Sequence, residues 1–224
     1  MRRVSDLCRL SPRSILLSAC LATALSAAAV AATPAQVGSF FRAVQMDDAR
    51  TVTAMLGSQV DPNEINPVGG EPALVLAVRE GSMDVLQALL AHPGVRVDTP
   101  AINGNTALMM AAFKGNRPAA EALLAKGAAV NRAGWTPLHY AAAGGDNGIA
   151  GLLLERGAKI DAVSPRASGS YTPLMLAARE GKEDTAAFLL ERGANRRLKN
   201  GEGLTAAQIA ARAEHPSLAK TLAP

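Results

Sequence analysis

The chain has 224 residues, of which 49% are hydrophobic but only 3% aromatic, so its core must be built mainly from alanine, leucine and valine. Its formal net charge is +4, and the four arginines and one aspartate of residues 1–31 account for +3 of that charge. The remaining chain is nearly neutral and lacks the clustered basic face that phosphate binding requires, which argues against a nucleic-acid partner.

Residues 1–31 have the organisation of a secretory signal peptide. Arg2, Arg3, Arg9 and Arg13 precede an uncharged apolar stretch over residues 14–32, which ends in small residues with a suitable cleavage site at residues 29–31. A transmembrane anchor is the alternative, since a stretch of this length just reaches across a bilayer, but its second half is mostly weakly hydrophobic alanine. The style of the leader indicates a bacterial protein that is exported to the periplasm and is free of the membrane after cleavage.

Both cysteines, Cys8 and Cys20, lie in this leader. Residues 17–20 also resemble the lipobox of bacterial lipoproteins, in which Cys20 would carry a lipid anchor. Strongly apolar residues continue beyond Cys20, which favours cleavage after Ala31 instead. A product cut there has no cysteine, and so has neither disulfide bonds nor thiol chemistry.

The sequence then repeats a block of similar residues. Five copies begin at Pro72, Thr106, Thr136, Thr172 and Thr205, and a degenerate copy begins near Gly38. The threonine is suited to cap a helix, and the proline after it is suited to the first turn of that helix. A glycine nine residues after the threonine is suited to end the helix. A recurrent Leu-Leu pair suits the buried side of a second helix. Each copy is therefore predicted to be a helix-turn-helix that must stack on its neighbours to bury its apolar face.

The block Thr-Pro-Leu-His-x-Ala-Ala at residues 136–142 and the tail Leu-Leu-x-x-Gly-Ala at residues 123–128 resemble the ankyrin repeat family. The resemblance implies an all-α ankyrin-repeat solenoid of about six helix-turn-helix repeats with finger loops. This domain would occupy residues 36–224, with repeats starting near 38, 72, 106, 136, 172 and 205. The terminal copies depart from the pattern, with Glu214 in place of the glycine, as is expected of capping repeats.

Two loops and one helix also depart from the family pattern. The loop before Trp135 is short, and the loop over residues 162–171 is long and has Ser170 where glycine is usual. Gly148 and Gly151 lie in the second helix of repeat four, where each costs about 1 kcal/mol relative to alanine. Repeat four is therefore predicted to be the loosest internal repeat.

The resemblance also implies where a partner would bind, namely at the finger tips and the exposed side of the first helices, which line a concave groove. The groove positions are the residue before each repeat start and the residues seven and eight after it. They are Glu71, Arg79, Glu80, Asn105, Phe113, Lys114, Trp135, Tyr171, Arg179, Glu180, Leu204 and Arg212.

Eight of these positions are the predicted partner-binding residues: Arg79, Glu80, Phe113, Lys114, Trp135, Tyr171, Arg179 and Glu180. Phe113, Trp135 and Tyr171 are the favoured contacts because rings bury a large area with little loss of rotamer freedom. The alternative for Trp135 is that it packs on its own finger. The repeated Arg-Glu pairs either steer a partner of mixed charge or keep the groove solvated.

Catalytic and metal-binding residues are not expected. In this family the histidine at position 139 usually bonds loop backbone, while His92 and His215 stand alone and lack further zinc ligands. The acidic pairs at residues 47–48 and 183–184 precede or begin second helices, where carboxylates stabilise the helix dipole. No nucleophile elbow, phosphate-binding loop or zinc-protease motif is present.

The sequence thus predicts a non-enzymatic protein-protein interaction module of the bacterial periplasm, without cofactor or metal and monomeric. One alternative is an outer-membrane lipoprotein scaffold or a secreted effector. Another is a small-ligand or enzyme-like role in the groove, which would require a closed pocket with converging polar groups.

Overall fold

A computed structural model describes residues 32–223, so the predicted signal peptide, with Cys8 and Cys20, lies outside the described residues. Within residues 32–223 the chain forms twelve α-helices and one short 3₁₀ turn at Arg166–Ser168. The helices are α1 (Pro34–Gln45), α2 (Ala49–Met55), α3 (Ala73–Glu80), α4 (Met83–Ala91), α5 (Ala107–Lys114), α6 (Arg117–Ala125), α7 (Pro137–Gly144), α8 (Asn147–Glu155), α9 (Pro173–Arg179), α10 (Glu183–Glu191), α11 (Ala206–Arg212) and α12 (Pro216–Leu222).

The helices form pairs that stack in two rows. Each odd-numbered helix contacts the next odd-numbered helix, from α1 to α11, and the even-numbered helices contact one another in the same order from α2 to α10. Neighbouring finger loops also meet, since the N–H of Ile102 donates to the carbonyl of Gly70 at 2.8 Å. The predicted all-α ankyrin solenoid is therefore confirmed.

Three threonines of the repeated block cap first helices through their side chains, as predicted, while the Thr136 hydroxyl lies against Nδ1 of His139 instead. The Oγ of Thr172 accepts from the backbone N–H of Met175 at 3.3 Å, and Thr106 and Thr205 cap α5 and α11 in the same way. Pro173 follows in the first turn of α9, where its missing N–H removes no hydrogen bond. The local sequence thus sets where each first helix begins.

The first helices end in the left-handed conformation. Gly81, Gly115 and Gly145 cap α3, α5 and α7 with φ of 79°, 67° and 84°. In the terminal repeats Asp47 and Glu214 adopt φ of 55° and 63° without glycine. A residue with a Cβ atom pays roughly 1–2 kcal/mol for that conformation, so the two ends of the solenoid carry backbone strain that the internal caps avoid.

Small side chains fill the core between the helices. Ala111, Ala141 and Ala177 of the first helices are fully buried, as are Leu123 and Leu153 of the second helices. Alanines let neighbouring first helices approach closely, and the leucines supply most of the apolar area. Because each repeat packs on its neighbours, stability is shared among the interfaces along the stack.

The first helix begins earlier than the predicted repeat start at Gly38. Thr33 caps α1 in a capping box with Gln36, and α1 has 12 residues where α3 has 8. The predicted start near Gly38 lies nine residues before Asp47, whose left-handed conformation matches that of the glycines ending the internal first helices, so the additional residues extend α1 at its amino end. Gly38 lies on an exposed part of α1 with open space around it.

The two acidic pairs lie at the starts of second helices. Asp48 caps α2, accepting from the backbone N–H of Thr51 at 2.9 Å, and its bond from the Thr51 hydroxyl helps hold the pKa of this carboxyl below its usual value. Glu183 and Asp184 lie in the first turn of α10. Their positions suit the positive end of the helix dipole.

Candidate binding groove

A cleft of about 300 Å³ opens beside the first helices of repeats three to five. We call it the repeat-four cleft, because α7 of repeat four lies between the helices that flank it. Its lining residues come from α5, α7, α9 and the finger loop before α7: Phe113, Trp135, His139, Tyr140, Ala143, Leu176, Arg179 and Glu180. The structure thus brings together four of the predicted partner-binding residues, namely Phe113, Trp135, Arg179 and Glu180.

Tyr140 is the centre of an aromatic cluster in this cleft. Its ring centroid lies 6.4 Å from that of Phe113 and 6.3 Å from that of Trp135, both in edge-to-face geometry. Its hydroxyl donates to Oδ1 of Asn105, which fixes the ring. Burial raises the pKa of Tyr140, with Asn105 and Arg132 opposing the rise, so the hydroxyl stays a neutral donor near pH 7.

Trp135 packs on its own repeat and still lines the cleft. The side chain is half-buried, and its ring lies edge to face against His139 with centroids 5.3 Å apart. The short preceding loop leads directly into α7, which places the indole over the first turn of that helix. Packing and cleft lining are therefore combined in this residue.

Phe113 is the most exposed ring of the cluster. Its side chain is 52% exposed, and it precedes Lys114, the exposed last residue of α5. A phenylalanine ring left half in water beside a cleft gains free energy when a partner covers it. Of the residues predicted from the sequence, Phe113 has the exposure and the position that a binding anchor needs.

Tyr171 differs from the expectation that it is a groove contact. Only 9% of the residue is exposed, because the long loop folds back on it. The Tyr171 N–H donates to Oγ of Ser164 at 2.8 Å, and the backbone of Gly169 lies so close to the ring that a Cβ there would approach within 2.5 Å. The guanidinium of Arg179 then covers the ring at 5.3 Å from its centroid, so Tyr171 supports Arg179 and offers little surface to a partner.

The two repeated Arg-Glu pairs form ion pairs in different surroundings. Arg179 donates to Glu180 at 2.9 Å beside the cleft, while Arg79 contacts Glu80 and also the buried carboxylate of Glu71. Each arginine is thus neutralised by an adjacent acid. The two pairs lie three repeats apart along the stack, in repeats two and five, and only Arg179 and Glu180 line the repeat-four cleft.

Two further groove positions, Leu204 and Arg212, belong to the last repeat of the stack. Arg212 of α11 forms an ion pair with Glu202 of the last finger loop. Leu204 is half-buried and packs against the core. These two residues lie outside the cleft.

His139 is fully buried and has both ring nitrogens engaged. The backbone N–H of Thr136 donates to Nδ1 at 3.2 Å, so Nδ1 is an acceptor and Nε2 carries the proton. Nε2 lies 2.9 Å from the carbonyl oxygen of Tyr171, to which it therefore donates. His139 ties repeat four to the finger loop of repeat five, and burial lowers its pKa.

Sequence reasoning missed the residues that create the cleft. Ala143 and Gly144 occupy the positions seven and eight after Thr136, where repeats three and five have Phe113 with Lys114 and Arg179 with Glu180. A Cβ atom on Gly144 would lie 2.8 Å from the carbonyl oxygen of Phe113, so glycine permits the close approach of α7 to α5. The signal in the sequence was this pair of small residues between two pairs of large ones.

Two finger tips also expose apolar side chains that the sequence did not single out. Val68 is 93% exposed and Ile102 is 88% exposed. They lie on neighbouring fingers, which the hydrogen bond from Ile102 to Gly70 holds together. Exposed apolar tips on adjacent loops extend the candidate contact surface toward the amino-terminal repeats.

Over residues 32–223 no three His, Cys, Asp or Glu side chains are grouped to hold a metal ion. In the same part of the chain, every helix is too short or too polar to cross a bilayer. His92 accepts from the N–H of Gly94, a local loop contact.

Stacked helix pairs with linked finger loops define a helical repeat protein, here with a cleft beside its first helices. Comparison of sequences identifies the family: the model described as "Ankyrin repeats (3 copies)" matches residues 40–133, 74–164 and 162–224. The chain therefore belongs to the ankyrin repeat family. Ankyrin repeats generally mediate protein-protein interaction.

Similar segments occur in much longer animal proteins. The chain is 37% identical over 126 residues to SH3 and multiple ankyrin repeat domains protein 1 of Mus musculus, covering 54% of this chain and 6% of that protein. It is 32% identical over 118 residues to human transient receptor potential cation channel subfamily A member 1, covering 51% and 10%. It is 47% identical over 64 residues to the poly [ADP-ribose] polymerase tankyrase of Caenorhabditis elegans, covering 27% and 3%. The chain thus spans only a small part of these relatives, and the likeness concerns the repeats.

Proposed function

We propose that this protein is a non-enzymatic interaction module that binds a partner protein through its groove, with the repeat-four cleft at the centre of the contact. The observation that carries the proposal is the half-exposed ring of Phe113, which lies beside Tyr140 and Trp135 at an open cleft. Large rings next to a cleft are the kind of residue that dominates binding energy in protein interfaces. Val68 and Ile102 extend the contact along the finger tips.

The groups in the cleft favour binding over catalysis. His139 is committed to Thr136 and Tyr171, and Arg179 is paired with Glu180. A general base needs a free lone pair within reach of a substrate proton, and these groups already have partners. A small-ligand role would need a more enclosed pocket with converging polar groups, whereas the repeat-four cleft has a largely aromatic and aliphatic lining.

Binding through the groove is tested by crosslinking and affinity capture from the periplasmic extract of the source bacterium. Phe113→Ala with Trp135→Ala is expected to lose a partner that the unchanged protein captures, because both rings lose their contact area. Phe188→Ala is the matched control: it removes a half-buried ring on α10, in the row of second helices. Circular dichroism shows whether all variants remain folded.

The outcomes of that capture separate two accounts. Loss of the partner from the double variant, with retention by Phe188→Ala, supports binding through the groove. Equal capture by all three proteins would mean that the rings serve the scaffold and that the contact surface lies elsewhere.

The leader supports export to the bacterial periplasm, with cleavage after Ala31. Attachment to the outer membrane through Cys20 or secretion as an effector are the alternative locations. Mass spectrometry of the protein recovered from cells tests the proposal: a free amino terminus at Ala32 is expected, and a lipid-modified Cys20 as the first residue would contradict it in favour of the lipoprotein.

A further inference from the structure

The repeat-four cleft exists because one repeat lacks side chains that its neighbours have. At the two groove positions of α7 stand Ala143 and Gly144, whereas α5 presents Phe113 and Lys114 there, and α9 presents Arg179 and Glu180. The missing side chains leave about 300 Å³ between the flanking residues. A volume of this size lies at the lower limit for small-molecule pockets, roughly 300–1,000 Å³, and suits one large side chain of a partner.

The lining determines what kind of side chain fits. Phe113, Tyr140 and Trp135 supply aromatic surface, while Ala143 and Leu176 add aliphatic surface. The Tyr140 hydroxyl is turned to Asn105 and satisfied there. The charged groups that line the cleft, Arg179 and Glu180, are already paired with each other. The aromatic and aliphatic surface therefore favours an apolar side chain, for which loss of hydration carries no penalty.

The charges around the cleft are unequal. Arg179 and Glu180 cancel in their ion pair at 2.9 Å. Lys114 and Arg132 remain: both are exposed, and neither forms an ion pair among the residues that the structure describes. Arg132 donates to the carbonyl of Gly104 and is close enough to Tyr140 to influence its pKa. Both cations are thus next to residues of the cleft: Lys114 follows Phe113 directly, and Arg132 bonds Gly104, the residue before the Asn105 that holds the Tyr140 hydroxyl. We call these two the rim charges.

We infer that the repeat-four cleft receives one large apolar side chain from a segment of a partner protein, and that acidic residues flank this side chain and face Lys114 and Arg132. The inference rests on the proposed function and specifies its partner. The apolar side chain of the partner supplies most of the affinity by covering Phe113. The flanking carboxylates complement the charges of Lys114 and Arg132 and so fix the position of the partner segment along the groove.

The partner chemistry is tested by selecting from a display library of random dodecapeptides with the protein purified as the cell processes it. Enriched peptides are expected to share a large apolar residue with aspartate or glutamate within a few positions of it. Their binding is then measured by fluorescence polarisation at low and high salt. Screening of the rim charges is expected to weaken it at high salt.

Matched variants locate the binding. Ala143→Leu fills the cleft and is expected to weaken the enriched peptides about tenfold or more, whereas Ala125→Leu, which adds the same side chain to an exposed site on α6, leaves affinity unchanged. Lys114→Glu is expected to weaken binding roughly threefold to tenfold through the reversed rim charge. Its control is Lys126→Glu, at the end of α6.

Several results would overturn the inference. They are a selection that enriches nothing, peptides without acidic residues, and affinity that survives Ala143→Leu. The proposed function is judged separately, by whether Phe113→Ala with Trp135→Ala loses the captured partner. If it does, while the selected peptides are basic or uncharged, groove binding stands and the acidic partner segment is wrong.

Discussion

His139 joins repeat four to repeat five from inside the core. Its Nδ1 accepts from the Thr136 N–H and its Nε2 donates to the Tyr171 carbonyl. The neutral ring thus gives the buried Thr136 N–H a partner and adds a second hydrogen bond to a carbonyl that also accepts from the Ser164 N–H. Protonation would place an N–H on Nδ1 opposite the N–H of Thr136. The hydrogen-bond pattern and the burial of the ring therefore both disfavour the charged form.

This arrangement predicts a loss of stability in acid. Because burial lowers the pKa of His139 in the folded protein from its ordinary value of 6.5, the unfolded chain binds more protons between the lowered pKa and pH 6.5. The free energy of unfolding then falls as pH decreases through that window. Urea unfolding at pH 7 and pH 5 is expected to show a larger loss for the unchanged protein than for His139→Gln, which has no titrating ring. Equal losses would contradict the account.

Tyr171 and Phe113 show what the sequence could predict for single residues and what it could not. Their spacing from the repeat starts placed both at groove positions, and Phe113 is exposed beside the cleft. Tyr171 is buried instead, because Ser164 and Gly169 of the long loop close over it. The sequence showed that this loop was longer than usual, but its path depends on left-handed φ angles at Gly169 and Ser170 and on contacts across seven residues.

The two helices of repeat four contain glycines with opposite roles. Gly144, in α7, lies where a Cβ atom would approach the Phe113 carbonyl oxygen within 2.8 Å. Gly151, in α8, is buried, and a Cβ there would lie 3.5 Å from Cζ of Phe188, an ordinary van der Waals contact. Only the first glycine is required by close packing.

Alanine at these two positions is therefore expected to shift stability in opposite directions. Gly151→Ala is expected to raise the free energy of unfolding by about 1 kcal/mol, the difference in helix propensity. Gly144→Ala is expected to lower it by roughly 1–3 kcal/mol, because α7 must move away from α5 to relieve the overlap. Urea denaturation of both variants checks the pair, and a neutral Gly144→Ala would show that the two helices are not held as closely as described.

The prediction that repeat four is the loosest internal repeat rests on its second helix, α8, and it stays a prediction. Gly148 and Gly151 both lie within α8. A helix that contains two glycines has a weak intrinsic preference for the helical conformation. In the structure α8 nonetheless buries Ile149 and Leu153 completely. Packing on α6 and α10 thus holds a helix that local propensity alone would leave marginal.

The fold of the whole molecule was predictable because the same sequence signals occur in repeat after repeat. Thr-Pro starts, glycine ends and Leu-Leu pairs recur in several copies, so a local ambiguity in one repeat is resolved by its neighbours. In the first repeat, which lacks the block, the sequence did not show that the first helix extends back to Thr33. The cleft was not predictable in this way, because it arises from differences among three neighbouring repeats and not from their common pattern.

The solenoid as a whole offers a partner two long faces, one formed by the first helices with their finger loops and one formed by the second helices. The aromatic cleft, the rim charges and the exposed tips of Val68 and Ile102 all belong to the first face. The chain after residue 31 is nearly neutral. We therefore expect the local pattern of these groups, and not the net charge of the protein, to determine which partner binds.

Hydrogen-deuterium exchange of the protein, alone and with its captured partner, tests most directly whether the partner binds the face formed by the first helices. Binding through the groove predicts new protection in α5, α7 and α9 and in the finger loops between them, with exchange in α4, α6 and α8 unchanged. Protection confined to α4, α6 and α8 would contradict the account, because the partner would then lie on the opposite face from the cleft.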